Sequence, residues 1–87
     1  MLMVTAAVMI RDGKVLIARR KPDLKNGGRW EFPGGKVKPG ESPRSCLKRE
    51  LKEELGIAVE VLDKIGTSRH AEKHQLLKLL FYHTLWI

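Results

Sequence analysis

One helix near the middle of this chain is marked by clear start and stop signals. Ser42-Pro43 predicts its first turn, because a serine oxygen can accept bonds from free backbone N–H groups and proline suits the first helical position. Gly56 predicts its end in a left-handed conformation. Between these signals a leucine recurs every four residues, which indicates a buried stripe formed by Leu47, Leu51 and Leu55.

The residues before this helix are predicted to form short strands. Apolar segments 3–10 and 14–19 predict a hairpin, since Asp12-Gly13 between them is typical of a type I′ turn. The polar, glycine- and lysine-containing segment 20–29 predicts a loop. Residues 30–32, WEF, predict a short strand. The prolines and glycines that follow at 33–40 predict little regular structure.

Two further strands are predicted after the helix, at 57–66 and 75–87. The aromatic residues and Thr84 favour strand over helix for the second. One helix cannot cover both faces of the resulting sheet. The sequence therefore predicts an α/β domain with a mixed sheet, and both faces of its last strand are apolar.

The last strand ends at Ile87 inside this apolar run. We expect either that the domain is truncated after these strands or that a second subunit covers the sheet. A homo-oligomer formed through the exposed apolar face is therefore one predicted partner. The side chains of this last strand alternate between its two faces. One face carries Leu77, Leu79, Phe81, Leu85 and Ile87, and the other carries Leu80, Tyr82 and Trp86.

Length and charge limit the classes of partner. The 87 residues allow one domain with a small core, and the formal net charge of +7 suggests an anionic partner. That partner could be nucleic acid, a membrane surface or a phosphorylated small molecule, although a lysine-rich surface alone gives the same charge. The apolar start MLMVTAAVMI is too short to cross a bilayer, so we expect no membrane partner. The single cysteine, Cys46, excludes an internal disulfide and is typical of a cytoplasmic protein.

Three glutamates crowd one face of the predicted helix. Glu50, Glu53 and Glu54 stand at i, i+3 and i+4, where like charges repel. They also lie toward the helix C-terminus, where the helix dipole disfavours anions. A solvated face relieved by Lys48 and Lys52 is one explanation. A bound divalent cation is the other, because hard ions such as Mg²⁺ prefer clustered carboxylates.

The spacing from Gly35 onward decides between these explanations. Residues 35–57 read G-x5-E-x7-R-E-U-x-E-E-x-G-U, where U is aliphatic, and this pattern resembles the signature box of the Nudix hydrolases at every fixed position. The preceding WEFPGG and the opening hairpin are more specifically similar to the MutT branch. The resemblance implies that residues 1–87 are the N-terminal portion of a single Nudix domain, an α/β/α sandwich.

The same resemblance implies roles for individual residues. The divalent metal, Mg²⁺ or Mn²⁺, would be held by Gly35, through its carbonyl, and by Glu50, Glu53 and Glu54. Glu50 would also activate water, so the implied catalytic residues are Glu50, Arg49 and Glu53. Arg49 would hold Glu50 and Glu41 in position, because its guanidinium forms paired bonds to carboxylates.

Substrate contacts are expected from residues before the box. Arg20 could contact phosphate or base. Phe32 and Trp30 alternate with Glu31 and share one sheet face, so both could stack on a nucleobase, although we expect one of the two in the core. The resemblance to MutT-like enzymes implies that Phe32 lies at the nucleoside.

The implied reaction converts a (deoxy)nucleoside triphosphate, oxidised nucleotides included, to a monophosphate and pyrophosphate. Dinucleoside polyphosphates and nucleotide sugars remain alternative substrates, because the same box serves all of these. A non-catalytic, truncated nucleotide-binding module is a further alternative. Nucleic acid is suggested by charge alone and is not an expected partner.

The two histidines of an H-x3-H pattern and the single cysteine are predicted to have no role in catalysis or metal binding. His70 and His74 form H-x3-H without a third ligand in view, so both are predicted as surface histidines. Cys46 is predicted as a small buried residue.

Overall fold

The computed structural model describes residues 1–19 and 28–87. The predicted loop at 20–29 therefore lies almost entirely outside the described residues, and Arg20 with it. One helix, α1, spans Pro43–Leu55. Eight strands are present in the described residues: β1 Leu2–Val8, β2 Ile10–Arg11, β3 Lys14–Val15, β4 Ala18–Arg19, β5 Trp30–Glu31, β6 Gly34–Lys36, β7 Val59–Glu72 and β8 Gln75–Trp86.

Four of these strands form the main sheet, in the order β6-β1-β8-β7. β1 and β8 run parallel, whereas the β6–β1 and β7–β8 pairs are antiparallel. Parallel strands need a long crossover, and α1 lies within the crossover between β1 and β8. The predicted α/β class with a mixed sheet is confirmed. None of the helices in the described residues could span a membrane.

The helix ends are formed as the sequence predicts. The Ser42 Oγ accepts a bond from the Ser45 N–H at 3.1 Å, and Pro43 is the first helical residue. Gly56 closes the helix at φ 67°, where its N–H donates to the Lys52 carbonyl at 3.0 Å. A left-handed φ favours glycine, so this residue is required by the backbone.

The helix packs on one face of the main sheet through Leu47 and Leu51, which are fully buried. Burying a leucine stabilises a fold by about 1.5–3 kcal/mol, so this pair fixes α1 against the sheet. Leu55 was predicted to share the stripe, but it is 38% exposed. It is the last helical residue and lies outside the core cluster, which comprises Ala7, Met9, Leu47, Leu51, Val59, Val61, Leu80 and Tyr82.

The predicted N-terminal hairpin is present but much shorter than expected. Asp12 and Gly13 take φ values of 53° and 73°, as a type I′ turn requires, and Ile10 pairs with Val15 around them. The long strands predicted at 3–10 and 14–19 are wrong, because β1 ends at Val8. Both edges of β1 are already paired, one with β6 and one with β8.

The proline- and glycine-rich segment also departs from prediction, because Gly34–Lys36 forms an edge strand of the main sheet. A Cβ on Gly34 would lie 2.0 Å from the Thr5 carbonyl oxygen. The missing side chain therefore lets this backbone approach β1. Pro33 contributes too, since its carbonyl accepts the Ala7 N–H at 2.8 Å.

The strand predicted at 57–66 extends much further, over Val59–Glu72. It pairs with β8 as a long hairpin that turns at Lys73 and His74, with Lys73 at φ 53°. The sequence predicts a turn near His70 and His74, but Lys-His lacks the Asn-Gly or Asp-Gly signal of such turns, so the pattern did not fix its exact position. The pairing register shifts between Val61 and Gly66.

The sheet face opposite α1 leads us to expect self-association. Leu85 and Ile87 project from β8 and its end with 41% and 77% of their surface exposed. Large exposed apolar patches are uncommon on monomers. Light scattering across a concentration series should show assemblies larger than one chain. A single monomeric species at all concentrations would contradict this expectation.

Candidate active site

Arg49 is the centre of a carboxylate cluster at the helix–loop junction. Its Nε and Nη2 donate to the two oxygens of Glu41 at 2.7 and 2.9 Å. Its Nη1 donates to Glu50 Oε1 at 2.8 Å and, more weakly, to Glu53 Oε2 at 3.3 Å. Nη2 also donates to the Lys36 carbonyl at 3.2 Å. One planar guanidinium thus ties strand β6 and the loop to the helix.

The contacts in this cluster shift the pKa values of Glu41 and Arg49. Hydrogen bonds from Arg49, and then from the Lys38 N–H, lower the pKa of Glu41 to about 2. The bonds to Glu41, and then to Glu50, raise the pKa of Arg49 further above its usual value. Glu41 therefore stays an anion and Arg49 a cation throughout the neutral range.

Glu50 lies directly against Gly35. A Cβ built on Gly35 would meet the Glu50 Cδ at 2.3 Å and its two oxygens at 2.5 and 2.7 Å. The carboxylate therefore occupies the space that any side chain at this position would need. The Gly35 carbonyl accepts the Thr5 hydroxyl at 3.2 Å and, more weakly, the Cys46 thiol at 3.6 Å.

The three helix glutamates do not share one environment. Glu50 and Glu54 line a cleft together with Gly35. Glu53 bonds Arg49, as Glu50 does, but it lies outside the cleft lining and its side chain is 56% exposed. Within residues 1–19 and 28–87, no three His, Cys, Asp or Glu side chains converge as a ready metal cluster. Two carboxylates and a backbone carbonyl are nevertheless the hard oxygen donors that Mg²⁺ prefers, so the donor chemistry fits.

The cleft has a volume of about 690 Å³ and extends from these carboxylates over the sheet face opposite α1. Phe32 packs edge-on against Phe81, with ring centroids 6.1 Å apart and planes at 84°. Phe32 is 39% exposed and Trp30 61% exposed. The expectation that one of them belongs to the core is wrong, because both side chains line this open cleft.

His70 is exposed, as predicted from the sequence, and its side chain also lines the same cleft, which the sequence did not predict. The strand pairing explains this position. His70 lies opposite Leu77 in the β7–β8 ladder, so it shares the face of Leu79 and Phe81. If the turn had been placed at Lys73-His74 from the sequence, the pairing of His70 with Leu77 could have been predicted. His74 lies in that turn and is exposed, as predicted.

Cys46 is a buried structural residue, as predicted. Its Sγ is 3.4 Å from the Thr5 Oγ1 and donates to the Lys36 carbonyl at 3.3 Å. Burial raises the pKa of this thiol, so it stays protonated and unreactive.

Comparison with known proteins decides the family. The profile of the NUDIX domain matches residues 1–85. This chain belongs to the Nudix family. The fold and the box at 35–57 agree with that membership.

Among curated Nudix relatives, the CTP pyrophosphohydrolase of Escherichia coli is 42% identical over 83 residues, which are 95% of this chain and 62% of that protein. The putative 8-oxo-dGTP diphosphatase 2 of Mycobacterium tuberculosis is 47% identical over 66 residues, 72% of this chain and 47% of the relative. The chain thus spans about half to two thirds of the length of the relatives it matches.

Solved Nudix structures have the same fold as this chain. The E. coli ORF135 protein matches with a TM-score of 0.83 and 41% identity, over 94% of this chain and 59% of that one. The MutT protein of Methanosarcina mazei matches with a TM-score of 0.86 and 28% identity, over 94% of this chain and 61% of that one. The MutT-like branch predicted from WEFPGG is confirmed.

Arg49→Lys is expected to lower activity about tenfold or more despite the conserved charge. An ammonium group is a compact charge without the planar fork of the guanidinium, so it does not reproduce the paired bonds to Glu41 together with the bond to Glu50, and Glu50 loses its fixed position. Turnover of the variant should be compared with that of Lys48→Arg, an exposed exchange on the same helix. Unchanged turnover in Arg49→Lys would show that the paired hydrogen bonds of the Arg49 guanidinium are not required.

Proposed function

We propose that this Nudix domain hydrolyses a nucleoside triphosphate to a nucleoside monophosphate and pyrophosphate, with a divalent cation. One observation carries the proposal. The Glu50 carboxylate is held by Arg49 against Gly35 at the end of a cleft that also presents aromatic rings. The cleft volume of about 690 Å³ lies within the usual range for small-molecule sites.

The relatives support the reaction class. Proteins 39–47% identical to this chain bear the names CTP pyrophosphohydrolase and 8-oxo-dGTP diphosphatase. Both names describe cleavage within a nucleoside triphosphate. The net charge of +7 favours such an anionic substrate.

A divalent cation is proposed at the carboxylate end of the cleft. Glu50, Glu54 and the Gly35 carbonyl would hold it. Glu53 would join them, because its bond to Arg49 is long at 3.3 Å and its side chain is largely exposed. When bound, Mg²⁺ or Mn²⁺ would neutralise phosphate charge and lower the pKa of water.

The chain's own residues would divide the remaining work. Glu50 would accept the proton of the attacking water. Arg49 would orient the Glu50 carboxylate and remain protonated, since its pKa is raised by its bonds to Glu41 and Glu50. Glu41, ionised by the same contact, would hold Arg49 in place. Phe32 would contact the nucleoside from the wall of the cleft, and Arg20 is proposed from its sequence position alone.

Mg²⁺ is expected to raise the melting temperature by several degrees, because a cation that binds the folded state stabilises it and about 1 kcal/mol corresponds to 4–8 °C in a domain of this size. Thermal melts with Mg²⁺ and with EDTA provide the measurement. The double variant Glu50→Gln/Glu54→Gln should lose this increase in melting temperature. Glu60 is an exposed glutamate outside the cleft, so the variant Glu60→Gln should keep the increase. Identical midpoints for the folded chain with and without Mg²⁺ would count against this site.

A substrate panel tests the function. CTP, 8-oxo-dGTP, a dinucleoside polyphosphate and a nucleotide sugar should be compared for released pyrophosphate against released monophosphates. We expect pyrophosphate from a triphosphate. No turnover of any substrate with Mg²⁺ would overturn the catalytic proposal. Nucleotide binding without turnover would favour the alternative of a binding module.

A further inference from the structure

Ser68 and His70 lie side by side on β7, and neither has a role in the proposed hydrolysis. The Ser68 Oγ is 2.7 Å from the His70 Nε2, a hydrogen-bond distance. Residues two apart on a strand project from the same face. His70 lines the cleft, so the pair borders the proposed substrate site.

The pair lies at the opposite end of the cleft from the carboxylates. β6, which carries Gly35, is one edge of the main sheet, and β7, which carries His70, is the other. The two edges are three strand spacings apart, about 14 Å. The cleft therefore has carboxylates at one end and an imidazole at the other.

An apolar surface connects the two ends. Leu79 and Phe81 of β8 form part of the cleft, with the Phe32 ring edge-on to Phe81. Gly66 lies opposite Phe81 in the ladder, and even an added Cβ there would remain 4.0 Å from the Phe81 ring. Leu79 and Phe81 therefore offer an apolar surface to a flat ligand group such as a nucleobase.

We propose that His70, oriented by Ser68, hydrogen-bonds the nucleoside part of a nucleotide whose diphosphate lies at Glu50 and Glu54. This inference rests on the proposed function. A diphosphate held at the β6 edge directs its linked group along the cleft toward β7. Ser68 occupies the His70 Nε2 and is the ring's hydrogen-bond partner among the described residues, so Nδ1 can face the ligand. Imidazole can donate or accept there, which suits a base edge or a ribose hydroxyl.

The test measures binding rather than turnover. Dissociation constants for α,β-methylene-CTP and for inorganic pyrophosphate, both with Mg²⁺, are compared in the 87-residue chain and its variants. His70→Ala and His70→Phe should weaken binding of the analogue about five- to tenfold, the contribution of one hydrogen bond. Pyrophosphate binding should not change. His74→Ala, a histidine in the exposed turn, is the matched control and should leave both constants unchanged.

The results distinguish a failure of the His70 inference from a failure of the proposed catalysis. Equal analogue affinity in His70→Ala and the unmodified chain would overturn it, as would an equal loss for pyrophosphate, or no analogue binding at all. His70→Phe retains an aromatic ring, so a loss in both variants identifies the polar atoms. Analogue binding that depends on His70 without any hydrolysis would refute only the proposed catalysis. Circular dichroism of each variant confirms that it is folded.

Discussion

Glu50→Gln is expected to lower kcat about 10²–10⁴-fold, the usual contribution of a general base. Glutamine has nearly the same shape and can still accept a bond from Arg49, but it cannot take a proton from water. It also removes one negative charge from the proposed cation site. The measurement is steady-state release of pyrophosphate from the substrate that the panel shows to be hydrolysed fastest.

Glu60→Gln provides the control for this substitution. Glu60 is exposed on β7 and lies outside the cleft, so the same chemical change there should leave kcat unchanged. Equal activities of the two variants would contradict the role proposed for Glu50. A melting temperature of Glu50→Gln close to that of the unmodified chain would show that lost activity does not reflect unfolding.

Alanine at the two adjacent glycines of β6 is expected to give opposite results. In Gly34→Ala the new Cβ would lie 2.0 Å from the Thr5 carbonyl oxygen, which is backbone and cannot move without breaking the β6–β1 pairing. We expect a loss of stability of about 1–3 kcal/mol or more, as for other overpacked sites. In Gly35→Ala the clash is with the end of the Glu50 side chain, which can rotate.

Gly35→Ala should therefore stay folded but lose about 10²-fold in kcat/KM, because the Glu50 carboxylate is displaced. Thermal melts and pyrophosphate release on both variants distinguish the two effects. Gly66→Ala is the matched control, since the nearest atom to its Cβ would be 4.0 Å away, an ordinary contact. A stable Gly34→Ala, or a fully active Gly35→Ala, would contradict the respective expectation.

The sequence by itself determined the helix, the Asp12-Gly13 turn and the carboxylate pattern of the box. These features depend on residues near one another in the chain. A cap requires a serine and a following N–H, and a helix face repeats every three to four residues. The contacts from Arg49 to Glu41 and Glu50 could be anticipated for the same reason, with the resemblance to the Nudix box naming the partners.

Only the tertiary structure decided which segments become strands of the main sheet and which side chains share the cleft. Gly34–Lys36 is a strand because β1 lies beside it, and no local propensity of Pro-Gly-Gly indicates that contact. The position of His70 depends on the β7–β8 register, which is set by a turn without the usual signal. Glu53 lies four residues after Arg49, so its bond to Arg49 follows from helical spacing, whereas only the folded arrangement brings Glu50 and Glu54 into the cleft with Gly35. Long-range pairing and side-chain geometry decide such outcomes, because their energies depend on neighbours far away in the chain.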